Sequence, residues 1–514
     1  MAEINSIIPQ SEKNLTILSQ DNTMTHDVSE EFSLPDYVPE VRRVLITKGS
    51  VLPESKYLSD GQGASALEFG GTVAYSLIYT DEEGKLCALP LSSSYEVKTQ
   101  LSSRPDNVMI DTVVDSVSTR VSAPRKLSIK SRLRSRILGI ERKEMNENIT
   151  PKSSADELYI ERKSESASNL SLKEVSIQNV RMSDKFDMGT LKEARPIWCD
   201  AKIILNDVKA SNNSVSVRGE ATVKCLCDTE NGIVTLTKTM PVAEELEAEG
   251  VTTGEMARAN GRCVSLSISN EESNSGAQLF FDLNCEIEGE VAKNSDVSLL
   301  NDCYSTKCQS ENTYKTIDIY SALKTQNASF TSSESMKRKN SEIVEIIELL
   351  ADPVYEKTEI KNGKAQMLGT LNVDIIGKSK ENENAECEYL SDSYEIPLKY
   401  ECDLARVSGE IINRCDFSLG NINARYDADK FYCTAEILPS YTIIEKKKLQ
   451  ILDSCVLKKD KEVKNDASCV RVYFPKDSDT LWEVAKKYHT TVKAIAEQND
   501  LDINAPLNAK NIII

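Results

Sequence analysis

The sequence predicts a mainly β, multidomain fold class: three β-sandwich or open-barrel-like repeats followed by a small α+β (βααβ) module at the C-terminus. Three observations point there. Apolar and polar residues alternate over most of the chain, two landmarks recur about every 150 residues, and the last 45 residues change to a helical period.

Alternation is clearest in Val215-Ser-Val217 and in Ala221-Thr-Val223-Lys-Cys225, where every second side chain is apolar. A period of two, bounded by turn clusters such as Asp81-Glu-Glu-Gly84 and Glu230-Asn-Gly232, is the pattern of half-buried antiparallel strands joined by hairpins. The first landmark is a glycine within such a strand, at Gly71, Gly219 and Gly369, spaced by 148 and 150 residues. The second is the strand start at Leu127, Leu279 and Phe431, spaced by 152 residues each time. A period of this size is that of a domain able to bury its own core, so three copies of one β domain are expected.

A short helix is expected ahead of each sheet, for example from Ser341 to Leu350, where Ile343, Ile346, Ile347 and Leu350 recur at helical spacing. The polar stretches Glu144 to Ala167 and Thr325 to Asn340 read as connectors. Boundaries follow at 1–150, 151–310 and 311–456 for the β domains, 457–469 for a charged linker that tethers with some freedom, and 470–514 for the module.

Composition limits the function. The 514 residues carry 62 Lys and Arg against 81 Asp and Glu, a formal charge of -19, which would repel nucleic acid and anionic membrane over most of the surface. No apolar run reaches a membrane-spanning length, and Met1 to Leu15 lacks the basic and apolar regions of a secretory signal, so a cytoplasmic location is expected. Fourteen cysteines are scattered without a C-x-x-C pair, and His26 and His489 are the only histidines. That distribution favours reduced packing cysteines over a zinc site, and no metal or cofactor is expected.

In the module, Val470 to Phe474 reads as a strand, and Asp479 as the N-cap of a helix with Leu481, Val484, Ala485 and Tyr488 on one face. Thr490 or Thr491 caps a second helix bearing Val492, Ile495 and Ala496, and Ile512 to Ile514 closes the sheet. Asp479-Thr-Leu-Trp482, Ala485, Tyr488, Thr490-Thr-Val492, Asn499 and Leu501 resemble the LysM family in register. That resemblance implies a shallow groove for N-acetylglucosamine polymers between the turn before helix one and the segment after helix two. The family's turn glycine is replaced by Ser478, and its Pro-Gly-Gln by Asn508-Ala-Lys510, so the rim where sugar would lie is altered. His489 reads as a helix end. The candidate surface for protein binding is therefore Ser478, Asp479, Trp482, Asn508 and Lys510, with Trp482 either a packing residue or the anchor.

The segment Asp27-Val-Ser-Glu-Glu-Phe-Ser-Leu-Pro-Asp-Tyr-Val-Pro-Glu-Val-Arg-Arg-Val44, followed by the Phe69 strand, resembles the opening of the SPOCS domain. Several SPOCS copies ahead of one LysM is the arrangement of the clostridial SipL-type family. The resemblance implies a mother-cell cytoplasmic scaffold at the forespore surface that helps assemble the spore coat. It implies the coat-morphogenetic ATPase SpoIVA as partner, with other coat proteins or a second copy as further ones. Peptidoglycan binding is the alternative.

Catalysis finds no support in the residue pattern. Triads generally need a histidine, and neither phosphate-cradling glycine loops nor an H-E-x-x-H motif occurs, so no catalytic residue is assigned. One charge pattern stands apart: from Lys126 to Arg136 the even positions are mostly basic, and the odd ones include Leu127, Ile129 and Leu133. It reads as a solvated face paired with acids or, as a secondary docking candidate, as a stripe of Lys130, Arg132 and Arg134 for an acidic partner.

Overall fold

The computed structural model describes residues 13–514 except 61–64, 146–147, 150–158, 190, 192, 274–275, 381–387, 405–406, 463–470, 477–478, 504–506 and 508–509. Unit 1 comprises β1 (Lys13–Ser33), β2 (Arg43–Asp60), β3 (Ser65–Thr80), β4 (Leu86–Leu101), β5 (Asn107–Ala123) and β6 (Lys126–Met145). They form two antiparallel sheets, β2-β3-β4 and β1-β6-β5, so the first strand pairs with the last. The inner faces meet in a core that includes Phe69, Val73, Leu77, Leu127, Ile129 and Leu133. Alternation along β3 places every second side chain there, which is how a two-sheet sandwich uses a period of two.

After the short β7 (Asn148–Ile149) the design repeats. Unit 2 has β8 (Ile160–Lys185), β9 (Ala194–Ser211), β10 (Ser214–Thr229), β11 (Gly232–Glu247), β12 (Met256–Ser273) and β13 (Gly276–Ser305), in sheets β9-β10-β11 and β12-β13-β8. Unit 3 has β14 (Cys308–Asn327), β15 (Phe330–Lys337), β16 (Ile343–Lys361), β17 (Lys364–Ser379), β18 (Tyr389–Asp403), β19 (Glu410–Asp427) and β20 (Lys430–Glu462). Its sheets are β16-β17-β18 and one in which β20 pairs with β14, β15 and β19.

The recurring glycine has one cause in all three units. A Cβ at Gly71, Gly219 or Gly369 would lie 2.2, 1.8 or 2.3 Å from the carbonyl oxygen of Leu52, Ile204 or Val354 on the neighbouring strand. A bulge beside each glycine, at Glu54, Asn206 and Glu356, brings that backbone close.

The units close a ring: β4 lies against β9, β11 against β16, and β18 against β2. Equivalent residues of the three middle strands, Ile78, Leu226 and Ile376, are all fully buried in one cluster with Trp198 and Leu350. Ile140, Ala292 and Ile444 converge in the same way in a second cluster. Beyond the sandwiches β8, β13, β14 and β20 run on together, with paired residues down to Ser305 opposite Ile160 and Cys308 opposite Glu462.

Several expectations change here. The helix predicted from Ser341 to Leu350 is the start of β16. Its helical spacing comes from bulges at Val344 and Ile347, each of which shifts the inward face by one residue. The described parts of the presumed connectors are largely strand: β8 begins at Ile160, and Phe330–Lys337 is β15, while 146–147 and 150–158 lie outside the described residues. Their polar composition reflects strands with one solvated face. The first residues of the presumed linker continue β20 to Glu462, and 463–470 lie outside the described residues.

Candidate functional site

The C-terminal module contains β21 (Val472–Tyr473), α1 (Leu481–Tyr488), α2 (Val492–Gln498) and β22 (Ile512–Ile513). Its first helix is capped one residue later than the sequence suggests. Thr480, not Asp479, is the N-cap, and it forms a reciprocal capping box with Glu483. Asp479 instead accepts from the Tyr473 hydroxyl at 2.7 Å and the Lys476 amide at 2.9 Å, which fastens β21 to the turn. These bonds, first from the Lys476 amide and then from Tyr473, hold its carboxyl below the ordinary range.

His489 ends α1 in the left-handed conformation, at φ 53°, and Thr491 caps α2. Asn499 ties α2 to β22, because its side chain accepts from the Ile513 amide and donates to the Ile513 carbonyl, both at 2.7 Å. Leu481, Val484, Ala485, Ile495 and Ile512 form the module's core.

That core has a sixth buried member from another part of the chain. Tyr304, near the end of β13, is 1% exposed and packs edge-on against Trp482 with ring centroids 4.9 Å apart. Its hydroxyl donates to the Thr490 carbonyl at 2.7 Å. Beside it, Asp302 accepts from Trp482 Nε1 at 2.7 Å and from Lys486 Nζ at 2.7 and 2.8 Å. Tyr314 Oη and Asn312 Nδ2 also donate to Asp302, each at 2.8 Å. His489 Nδ1 lies 3.0 Å from the Ser305 carbonyl. Burial would raise the Asp302 carboxyl, but hydrogen bonds from Lys486, Trp482 and Tyr314 outweigh it and hold the group below its ordinary range. Lys486 is desolvated too, and Asp302 keeps it above the usual ammonium value.

The candidate surface thus divides. Ser478 and Asn508 lie outside the described residues. Lys510 is exposed, Asp479 serves the turn, and Trp482 faces the end of β13. Sequence reasoning missed Asp302 and Tyr304, which lie in a strand some 180 residues away and carry no local signal. Val472, Phe474, Ile503 and Ile513 are exposed apolar residues elsewhere on the module.

Each residue of the basic stripe meets an acid on an adjoining strand. Lys130 and Arg132 both reach Asp27, at 2.9 and 3.0 Å, while Arg134 meets Asp115 at 2.9 Å and the Tyr355 carbonyl of unit 3 at 3.0 Å. A cavity of about 1020 Å³ lies between units 1 and 3 and includes Arg134, Lys48, Asp115 and Asp352 in its wall. Lys48 is paired there with Asp352 at 3.0 Å. Twelve cysteines are described, all outside disulfides, and most are buried. Among the described residues no group of three or more His, Cys, Asp or Glu side chains is arranged to hold a metal ion, and no helix is long and apolar enough to cross a membrane.

Comparison with known families agrees with this architecture. The model of the LysM domain matches residues 476–514, and that of the SipL, SPOCS domain matches residues 195–269, which run from β9 into β12 of unit 2. No curated protein and no solved structure matches. The fold is mainly β, and the two domains matched are of non-catalytic, binding kinds. A SipL-type SPOCS domain and a C-terminal LysM domain in one chain match the pattern of a SipL-type protein of sporulation.

Proposed function

We propose that this chain is a non-enzymatic scaffold of spore morphogenesis. It binds the coat-basement ATPase SpoIVA, chiefly through its LysM module, and helps localise and anchor the coat at the forespore surface in the mother-cell cytoplasm. The observation that carries this reading is the presence of a SPOCS and a LysM domain in one chain. The shared topology of the units supports reading all three as SPOCS domains, although the matched region lies in unit 2. A ring of rigid sandwiches, continued by long paired strands that end at the module, suits a spacer that presents a binder. The test is a pull-down of the full chain against purified SpoIVA and against insoluble peptidoglycan. Retention by SpoIVA is expected. Retention by peptidoglycan alone would replace this function with cortex or cell-wall binding.

A further inference from the structure

We infer that the Trp482 face of the LysM module is a binding surface already occupied by the chain's own β13, and that a partner using it presents a carboxylate beside an aromatic ring. This rests on the LysM-mediated docking proposed above and names the chemistry that docking requires.

The contact has the composition of a recognition site. An aromatic ring, a carboxylate and a backbone carbonyl from a four-residue run, Asp302 to Ser305, meet an indole, an ammonium and an imidazole from the module. Trp482 and Lys486 stand one helical turn apart on α1, so one carboxylate can receive both the indole N–H and the ammonium. Tyr304 covers the indole edge-on, as an inserted aromatic side chain of a ligand would. The polar part of the seam stays open to water: the Lys486 and Asp302 side chains are 33% and 16% exposed. A competing carboxylate can therefore reach Lys486 while Asp302 is still in place.

The alternative is that Asp302 and Tyr304 are permanent structure and partners bind elsewhere on the module. The two cases differ in sign. If the face is occluded, weakening the internal ligand without damaging the module strengthens partner binding, because the competent fraction rises. Asp302→Asn does this, removing the charge and keeping the shape. Lys486→Glu also breaks the internal contact, but it removes the group that a partner's carboxylate would use.

The experiment uses the full chain and two readouts. Acrylamide quenching reports Trp482, since the other tryptophan, Trp198, is 7% exposed and contributes a resistant background. Titration with purified SpoIVA reports binding. Asp302→Asn is expected to expose Trp482 and tighten binding about ten-fold, the scale of one charge-assisted contact. Lys486→Glu should expose Trp482 and weaken binding by a similar factor. Loss of affinity in both variants, or unchanged affinity in Asp302→Asn once Trp482 is freed, overturns the inference, as does unchanged quenching. If neither the natural chain nor Asp302→Asn binds SpoIVA although Trp482 becomes accessible, the scaffold reading falls and this inference with it, whereas binding by the natural chain that Asp302→Asn does not strengthen overturns this inference alone.

Discussion

Arg258 and Arg414 occupy the same position in units 2 and 3 and close on one carboxylate, Glu290. Arg258 bonds it at 3.3 Å through Nε and Nη2, and Arg414 reaches it through Nη1. Unit 1 has Met109 at that position, with its sulfur 3.1 Å from Arg414. Each arginine also reaches a carboxylate of another unit: Arg414 takes Asp111 of unit 1, and Arg258 takes Asp416 of unit 3. Thr442 of unit 3 donates its hydroxyl to Glu290. The network thus joins all three units at the centre of the ring.

Replacing Glu290 by Gln leaves two guanidiniums, each about 5% exposed, without their shared counter-charge. Breaking a buried pair on one side typically costs about 3–5 kcal/mol. Urea unfolding should show a loss of that order, and a loss below about 1 kcal/mol would mean that water already solvates the site. The pH dependence follows from the same group. Burial alone would raise the Glu290 carboxyl, but the two arginines bring it down to about 2. A lowered value contributes stability that is complete above the unfolded value near 4.3 and lost as pH falls toward 2. The natural chain should lose stability across that acid window, and Glu290→Gln should flatten this part of the profile.

Gly219→Ala should be among the most damaging single-methyl changes in the chain. Its Cβ would sit 1.8 Å from a backbone oxygen, so the sheet must part at the bulge. Gly71→Ala and Gly369→Ala meet the same obstacle at 2.2 and 2.3 Å. A loss of roughly 2 kcal/mol or more is expected for each. Gly84 is the comparison: its φ is +80°, but nothing lies within 4 Å, so Ala there should cost only about 1 kcal/mol. Equal melting temperatures for the Gly84 and Gly219 variants would refute the steric account.

These glycines also explain why the triplication is legible in the sequence. A backbone collision admits no other residue, whereas the apolar positions around it interchange freely. The module is legible for a related reason, since its caps and helical faces are set within a few residues. The run Ile343 to Leu350 misleads because two bulges imitate a helical period. Asp302 and Tyr304 could not be found: a polar and an aromatic residue alternating in a long strand are ordinary, and only the fold brings them to α1.

Tyr304→Ala should destabilise the module selectively. The ring is 1% exposed and completes the core formed by Leu481, Val484 and Ile495, so its removal opens a cavity at a cost of about 3–5 kcal/mol. Tyr304→Phe keeps the ring and loses only the bond to the Thr490 carbonyl, worth about 1 kcal/mol. Limited proteolysis should therefore cut within 471–514 far faster in the Ala variant than in the Phe variant. Equal cleavage of both would show that the ring contributes nothing to the module's stability.

The basic stripe should separate into two functions under charge reversal. Lys130 and Arg132 share one carboxylate, Asp27, and their side chains are 54% and 57% exposed, which leaves an excess of positive charge facing solvent. Hydrogen bonds from Lys130 and then Arg132 hold the Asp27 carboxyl below its usual range, so it stays ionised at neutral pH. Arg134 is 22% exposed and committed to Asp115 and to the Tyr355 carbonyl across the boundary between units 1 and 3. Reversing Lys130 and Arg132 to Glu should leave the melting temperature nearly unchanged, because exposed pairs contribute little. The same double change should reduce capture of an acidic partner in low salt, with the difference shrinking as salt screens it. Arg134→Glu should lower the melting temperature, since it sets a second carboxylate against Asp115 and breaks the bond to unit 3. Full capture by the double variant at low salt would reduce the stripe to a solvated face.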